Sequence, residues 1–137
     1  MTDYTILSRY RNKEEVNYLA GELKKRDKTC YNFADNPADA NNPDGSPEDQ
    51  MKGLESVENF YENEHFKFLF KTDYDGLKNA DTSIVLLPAG TASHIEAGIA
   101  YGLGKKLILI GEPEKPETLY LIFEERYRTV EEFLETI

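Results

Sequence analysis

Glu96 is the residue around which chemistry in this sequence is most readily built. It stands within residues 80–111, ADTSIVLLPAGTASHIEAGIAYGLGKKLILIG, where a β-branched apolar run at 84–87 stops at Pro88-Ala89-Gly90-Thr91 and a helical pattern follows. A carboxylate in the first turns of that helix lies near the carboxyl end of a strand, the edge at which open α/β sheets bind ligands. There it can attack an electrophilic sugar carbon and form a glycosyl ester through an oxocarbenium-like transition state. Spacing alone permits a second role, because Ser93-x-x-Glu96 is also a capping box that supports a helix start.

A retaining mechanism needs a second carboxyl group, and Asp73 in FKTDYDGLKNAD is the candidate. Solvated helix surface is the alternative reading for an aspartate there, and Asp75 competes for the same task. The polar segment Ser8-Arg9-Tyr10-Arg11 follows the first apolar run. Two arginines beside a helix N-terminus can hold a phosphate or orient a nucleoside hydroxyl. Tyr10 can stack on a base or pack against a neighbouring loop. Gly90 and Thr91 offer backbone amides to a hydroxyl or phosphate. Ser93 and His94, the latter exposed by helix phase, complete the candidate binding set.

These residues need a scaffold, and the periodicity of the chain supplies one. Residues 4–7 read as a short strand, followed by a helix capped by Asn12 with Glu15 and carrying Val16, Leu19, Ala20 and Leu23 on one face. Residues 29–33 are a second strand. The run ADNPADANNPDGSPED, residues 34–49, is dense in turn formers and reads as a long loop of active-site-lid length. Pro47 opens a helix with Met51, Leu54, Val57, Phe60 and Tyr61 as apolar positions, and His65 marks a break before helical residues 66–80. Strand three covers 84–87, a helix runs from Ser93 to Leu103 and ends at Gly104, and strand four covers 107–110. Residues 119–123 read as strand five, and a terminal helix starts near Thr129 with Val130, Phe133 and Leu134 inward. Strands alternating with helices predict a doubly wound α/β sandwich of flavodoxin/Rossmann-like type, with a five-stranded, mainly parallel sheet and one domain over residues 1–137.

Composition excludes several classes. The chain has 137 residues, with 26 acidic against 16 basic side chains and a formal net charge of −10. That balance argues against nucleic-acid polymers and anionic membrane surfaces as partners. A single cysteine, Cys30, rules out an intrachain disulfide and offers no cysteine metal pattern. The opening MTDYTILSRYRNK has no apolar signal segment and no run reaches membrane-spanning length, so a cytoplasmic protein is expected. There is no G-x-G-x-x-G, no P-loop and no G-x-S-x-G elbow.

Three segments, ILSRYRNKEEV, FKTDYDGLKNADTSIVLLP and GTASHIEAGIAYGLGKKLILIG, resemble the nucleoside 2-deoxyribosyltransferase-like family. That family shows a loop after strand one, an Asp before an L-x-x-A-D segment, and an E-x-G-x-A-x-x-x-G-K block. Here these are Asp73 before Leu77-Lys78-Asn79-Ala80-Asp81, and the ten residues from Glu96 to Lys105. The resemblance implies that Glu96 is the nucleophile on C1′ of ribose or deoxyribose and that Asp73 positions or protonates the substrate. It places Ser8, Arg9 and Tyr10 in the loop that contacts sugar, base or phosphate. It also implies a small nucleoside or nucleotide substrate, no metal or organic cofactor, and a homodimer or larger homo-oligomer.

Gly90 stands six positions before Glu96, where transferases of the family often carry an acidic residue, and no Asn follows Asn79 for loan to a neighbouring subunit. Both features rank N-glycosidic cleavage ahead of base exchange. Two alternatives remain: a non-catalytic nucleotide- or nucleoside-sugar-binding module, and a phosphoribohydrolase with a Gly-rich loop.

Overall fold

The β-branched runs of the sequence lie at the centre of a sheet covered on both faces. The computed structural model describes residues 1–137. Its strands are β1 (Thr2–Leu7), β2 (Cys30–Asn32), β3 (Ala80–Leu86), β4 (Lys106–Ile110) and β5 (Glu125–Tyr127). Its helices are α1 (Lys13–Lys25), α2 (Pro47–Glu55), α3 (Glu64–Asn79), α4 (Thr91–Gly102) and α5 (Val130–Leu134). The strand order is β2-β1-β3-β4-β5, and every adjacent pair is parallel. The chain moves outward from β1 to β2, crosses back to β3, and then continues away from β1. The strand order therefore reverses between β1 and β3, and the carboxyl ends of those two strands frame the crevice of a doubly wound sheet.

Alternation along the strands divides the core in two. Ile6, Ile84, Leu86, Ile108 and Ile110 pack against Val16, Leu19 and Leu23 of α1 and Val130, Phe133 and Leu134 of α5. On the other face, Leu7, Val85, Leu107 and Leu109 meet Leu77 of α3, Ala97 and Ala100 of α4, and Phe123. Burial on both faces explains why β3 and β4 read as continuous apolar runs rather than alternating ones. The small residues on the inner face of α4 let that helix lie close to the sheet. Gly104 ends it in the left-handed region at φ +76°, where glycine carries no steric penalty. No helix is long and apolar enough to cross a membrane.

Several expectations are corrected. Residues 119–123 do not form the fifth strand; Thr118–Ile122 is a 3₁₀ turn, and the strand is Glu125–Tyr127. Leu119 and Leu121 are exposed while Tyr120, Ile122 and Phe123 pack against the α3–α4 side of the core. The true edge strand is charged, with Glu125 paired to Lys106 of β4, so it carries no apolar signature.

The helix opened by Pro47 stops at Glu55, and Phe60 and Tyr61 sit in a separate exposed turn. His65 does not break a helix; it lies in the first turn of α3, whose cap is Asn63 accepting from the Phe66 amide at 3.0 Å. Asn12 precedes α1 without a side-chain cap bond, and its Nδ2 donates to Ser8 Oγ. The segment read as a loop is knitted around Gln50 of α2, which is fully buried. Its Oε1 accepts from Tyr10 Oη and the Ala38 amide, and its Nε2 donates to the Pro43 and Gly45 carbonyls.

Candidate active site

The site begins where β1 and β3 end side by side, with Leu7 in register with Val85. Ser8 follows β1, and its buried hydroxyl donates to the Leu86 carbonyl at 2.8 Å and lies 3.3 Å from that of Pro88. It joins the two loops of the crevice. Gly90 is the N-cap of α4 and contributes no side-chain cap. The helix starts at Thr91, so Ser93 is its third residue and is buried toward the sheet. The capping-box reading of Ser93 and Glu96 is therefore overturned: Ser93 lies inside the helix, where no capping bond forms.

That start fixes the direction of Glu96. Ser93, Ala97 and Ala100 are buried on one side of α4, which turns Ala92, Ile95, Glu96 and Ile99 toward α3. On α3, Phe70, Asp73, Tyr74 and Leu77 recur at the i, i+3, i+4, i+7 spacing of one helix face. The two faces enclose a cleft of about 240 Å³ lined by these eight residues. Its only carboxyl groups are Asp73 and Glu96, one from each helix. The other six side chains are aliphatic or aromatic.

An apolar cleft disfavours charge. Burial, with the negative charge of Asp73 behind it, pushes the Glu96 carboxyl up to about 8. Burial also raises Asp73, but a hydrogen bond from Tyr31 Oη to Asp73 Oδ1 at 2.9 Å opposes the rise. Glu96 is thus the group that keeps its proton to the higher pH, and Asp73 the group that ionises first. Pairs of acids whose environments separate their ionisations are characteristic of sites that move charge.

The structure brings together Asp73 and Glu96 but not the whole predicted set. Tyr10 does not project toward a ligand; it is buried, bonded to Gln50 and edge-on to Phe33. Arg11 binds Glu48 at 2.6 Å and Glu55 at 2.8 Å, fastening α2 to the loop after β1. Arg9 has no such partner. It is exposed beside the start of α4, where a β-carbon added to Gly90 would stand 3.9 Å from the Arg9 Cβ. The His94 ring spans from the Gly90 carbonyl (2.8 Å, Nδ1) to Tyr120 Oη (2.9 Å, Nε2), anchoring the Thr118–Ile122 turn. No group of three or more His, Cys, Asp or Glu side chains converges in a metal-holding arrangement.

Tyr31 was not singled out by the sequence pattern. The available signal was alternation: Cys30 packs toward the α1 side of the core, so its neighbour in β2 must turn to the α3 side, where Asp73 lies. Phe70 and Tyr74 likewise read as ordinary apolar helix positions until α4 closed the other wall.

The fold and the acidic pair define an α/β protein with an apolar, two-carboxyl cleft between the helices that flank β3. The chain is similar over its length to two solved enzymes. One is the 2-deoxyribosyltransferase of the psychrotolerant bacterium Bacillus psychrosaccharolyticus, at 16% identity and a TM-score of 0.66, covering 96% of this chain and 90% of that one. The other is the CMP N-glycosidase BcmB of Clostridium botulinum, at 22% identity and a TM-score of 0.53, covering 98% and 97%. The resemblance carried by the sequence is thus met at the level of the fold. No family model and no curated protein matches the chain.

Proposed function

We propose that this protein belongs to the nucleoside deoxyribosyltransferase-like family and acts on the N-glycosidic bond of a nucleoside or nucleoside monophosphate, with Glu96 as nucleophile. The observation that carries the reading is the pairing of Glu96 with Asp73 in one apolar cleft. The two similar folds belong to enzymes whose substrates contain that bond.

In the proposed reaction Glu96 attacks C1′ as a carboxylate while the bond from C1′ to the base nitrogen breaks. The departing base takes a proton from solvent. Positive charge develops on the sugar between two carboxylates, and Asp73, ionised and held by Tyr31, stabilises that charge and positions the sugar. Water, or a second base, then attacks C1′ as the ester bond to Glu96 breaks, freeing the carboxylate, and the attacking group releases its proton to solvent. The carboxylate performs the covalent step, so the reaction requires no metal or organic cofactor.

A 5′-phosphate fits Arg9 together with the Gly90–Thr91 start of α4, which presents unpaired amides and the positive end of the helix dipole. Arg11, occupied by two glutamates, is left out of this role. Exposed Phe70, Ile95 and Tyr101 beside the cleft support a homo-oligomer in which a second subunit covers that face.

The test is incubation with nucleosides, deoxynucleosides and their 5′-monophosphates, with free base followed by chromatography. Base release that disappears in Glu96→Ala supports the reading. Ligand-dependent thermal stabilisation without any product favours the binding-module alternative, for which Gly90 in place of an acidic residue is the motivating feature.

A further inference from the structure

We propose that Tyr31 is a positioning residue for the acidic pair: its phenol donates to Asp73 Oδ1 and sets where that carboxyl group points, and Gly76 is the notch that admits its ring. The inference rests on the reaction proposed above and adds a residue from β2 to it.

Three observations converge. The Tyr31 Oη lies 2.9 Å from Asp73 Oδ1 and accepts from Asn36 Nδ2 at 3.4 Å. With Asn36 donating to the oxygen, the phenolic hydrogen is directed at Asp73. Burial lifts Tyr31 to about 12, so it remains a neutral donor wherever the protein is folded and working. Asp73 Oδ2 is left without a protein partner and is free to take a bond from a ligand.

The second observation is steric. Gly76 follows Asp73 by three residues, on the same side of α3. A β-carbon there would stand 2.6 Å from Tyr31 Cδ2 and 2.8 Å from Cγ. Such distances require the ring to move, and with it the hydroxyl. Glycine in a helix interior is unfavourable relative to alanine, yet here any side chain would displace the aromatic ring. The third is the strand itself. Cys30 packs into the core toward α1 and Asn32 bonds Asn17 of that helix at 2.9 Å, which fixes the register and commits Tyr31 to the opposite face.

The titratable groups facing the Asp73 carboxyl are Tyr31 from β2 and Glu96 from α4, with Tyr74 lining the same cleft. On its own helix, Asp75 turns away to Lys71 (2.7 Å) and Lys78 (3.5 Å). No other charged side chain lines the cleft. Removing the phenolic donor therefore acts on Asp73 directly and reaches Glu96 through it.

Tyr31→Phe keeps the ring in its notch, and Gly76→Ala displaces the ring while keeping the hydroxyl. Carboxyl ¹³C NMR titrations of both variants and the wild type are the first arm, and they need no substrate. The expected result is an Asp73 titration midpoint at higher pH in Tyr31→Phe, with the thermal midpoint nearly unchanged. The second arm is kinetic. Loss of a hydrogen bond to a charged group corresponds to a fall of about tenfold or more in kcat, with KM little changed. Gly76→Ala reproduces the direction of both effects.

An Asp73 midpoint unmoved in Tyr31→Phe overturns the proposal, whatever the activity. So does a moved midpoint with kcat intact. If the midpoint moves but the wild type releases no base, the link from Tyr31 to Asp73 stands and the proposed reaction falls.

Discussion

Asp73 of α3 and Glu96 of α4 face each other's helix across one apolar cleft, and the charge of the first helps hold the proton on the second. The protein therefore contains a carboxyl group that is neutral at pH 7 until something favours its ionisation. A sugar acquiring positive charge at C1′ is such a partner.

The rate should report that ionisation. If Glu96 attacks as a carboxylate, kcat/KM rises with pH along a limb with an apparent midpoint of about 8, since this parameter follows the free enzyme. Asp73→Asn removes the neighbouring negative charge, and the limb moves to lower pH even as the rate falls. A pH–rate profile of both proteins measures this. A rate that falls through pH 8 would instead assign the proton of Glu96 to the leaving base.

Stability carries the opposite trend. The folded protein holds the Glu96 proton up to about 8, whereas an ordinary glutamate releases it near 4.5. Between those values the native state binds more protons than the unfolded chain, so this contribution is complete below the lower value and is lost as pH rises through the upper one. Glu96→Gln is neutral throughout and escapes the loss. Its thermal midpoint should exceed that of wild type by roughly a few degrees at pH 9, a shift typical of a domain this size, and by less at pH 5.

Gln50 should behave as an anchor for residues 36–50. Gln50→Ala strands the Ala38 amide and the Pro43 and Gly45 carbonyls, and leaves the Tyr10 hydroxyl without its acceptor. The cost should be about 2–4 kcal/mol, the range for breaking a buried hydrogen-bond network. Denaturant unfolding reads it directly.

The two arginines after β1 should separate cleanly. Arg9→Gln raises KM for nucleoside monophosphates by about tenfold, the loss of one charge-assisted contact, and leaves nucleosides unaffected. Arg11→Gln does not discriminate between them. It loosens the hold of the β1 loop on α2 only slightly, as expected for a solvent-screened ion pair. Comparing KM for matched nucleoside and monophosphate pairs distinguishes the variants.

Residues differ in how plainly the sequence announces their roles. β1, β3 and β4 were legible because strands buried on both faces carry consecutive apolar residues where they cross the core, as Ile6 and Leu7, Ile84, Val85 and Leu86, and Leu107 to Ile110 do. β5 was not, because an edge strand needs little burial and Glu125 and Arg126 hide it; the apolar residues just before it, Leu119 and Leu121, project outward at 71% and 79% exposure. Glu96 and Asp73 were legible as candidate carboxylates from their types and positions, and the resemblance to a family is what set them above the capping and surface readings. The roles of Ser8, Tyr10 and Arg11 were not, since a hydroxyl, a phenol and a guanidinium satisfy a backbone carbonyl, a buried amide or a glutamate as readily as a ligand. Long-range partners such as Gln50 decided between these, and no local pattern contains them.

The most direct test of the account is to look for the covalent intermediate. The protein is mixed with a substrate that releases base, quenched in acid within the time of one turnover, digested, and analysed by mass spectrometry. The account predicts a sugar-sized mass increment on the peptide containing Glu96, which disappears on longer incubation with water or an acceptor base and is absent from Glu96→Gln. Base release that continues undiminished in Glu96→Gln, with no adduct at any time, would contradict it.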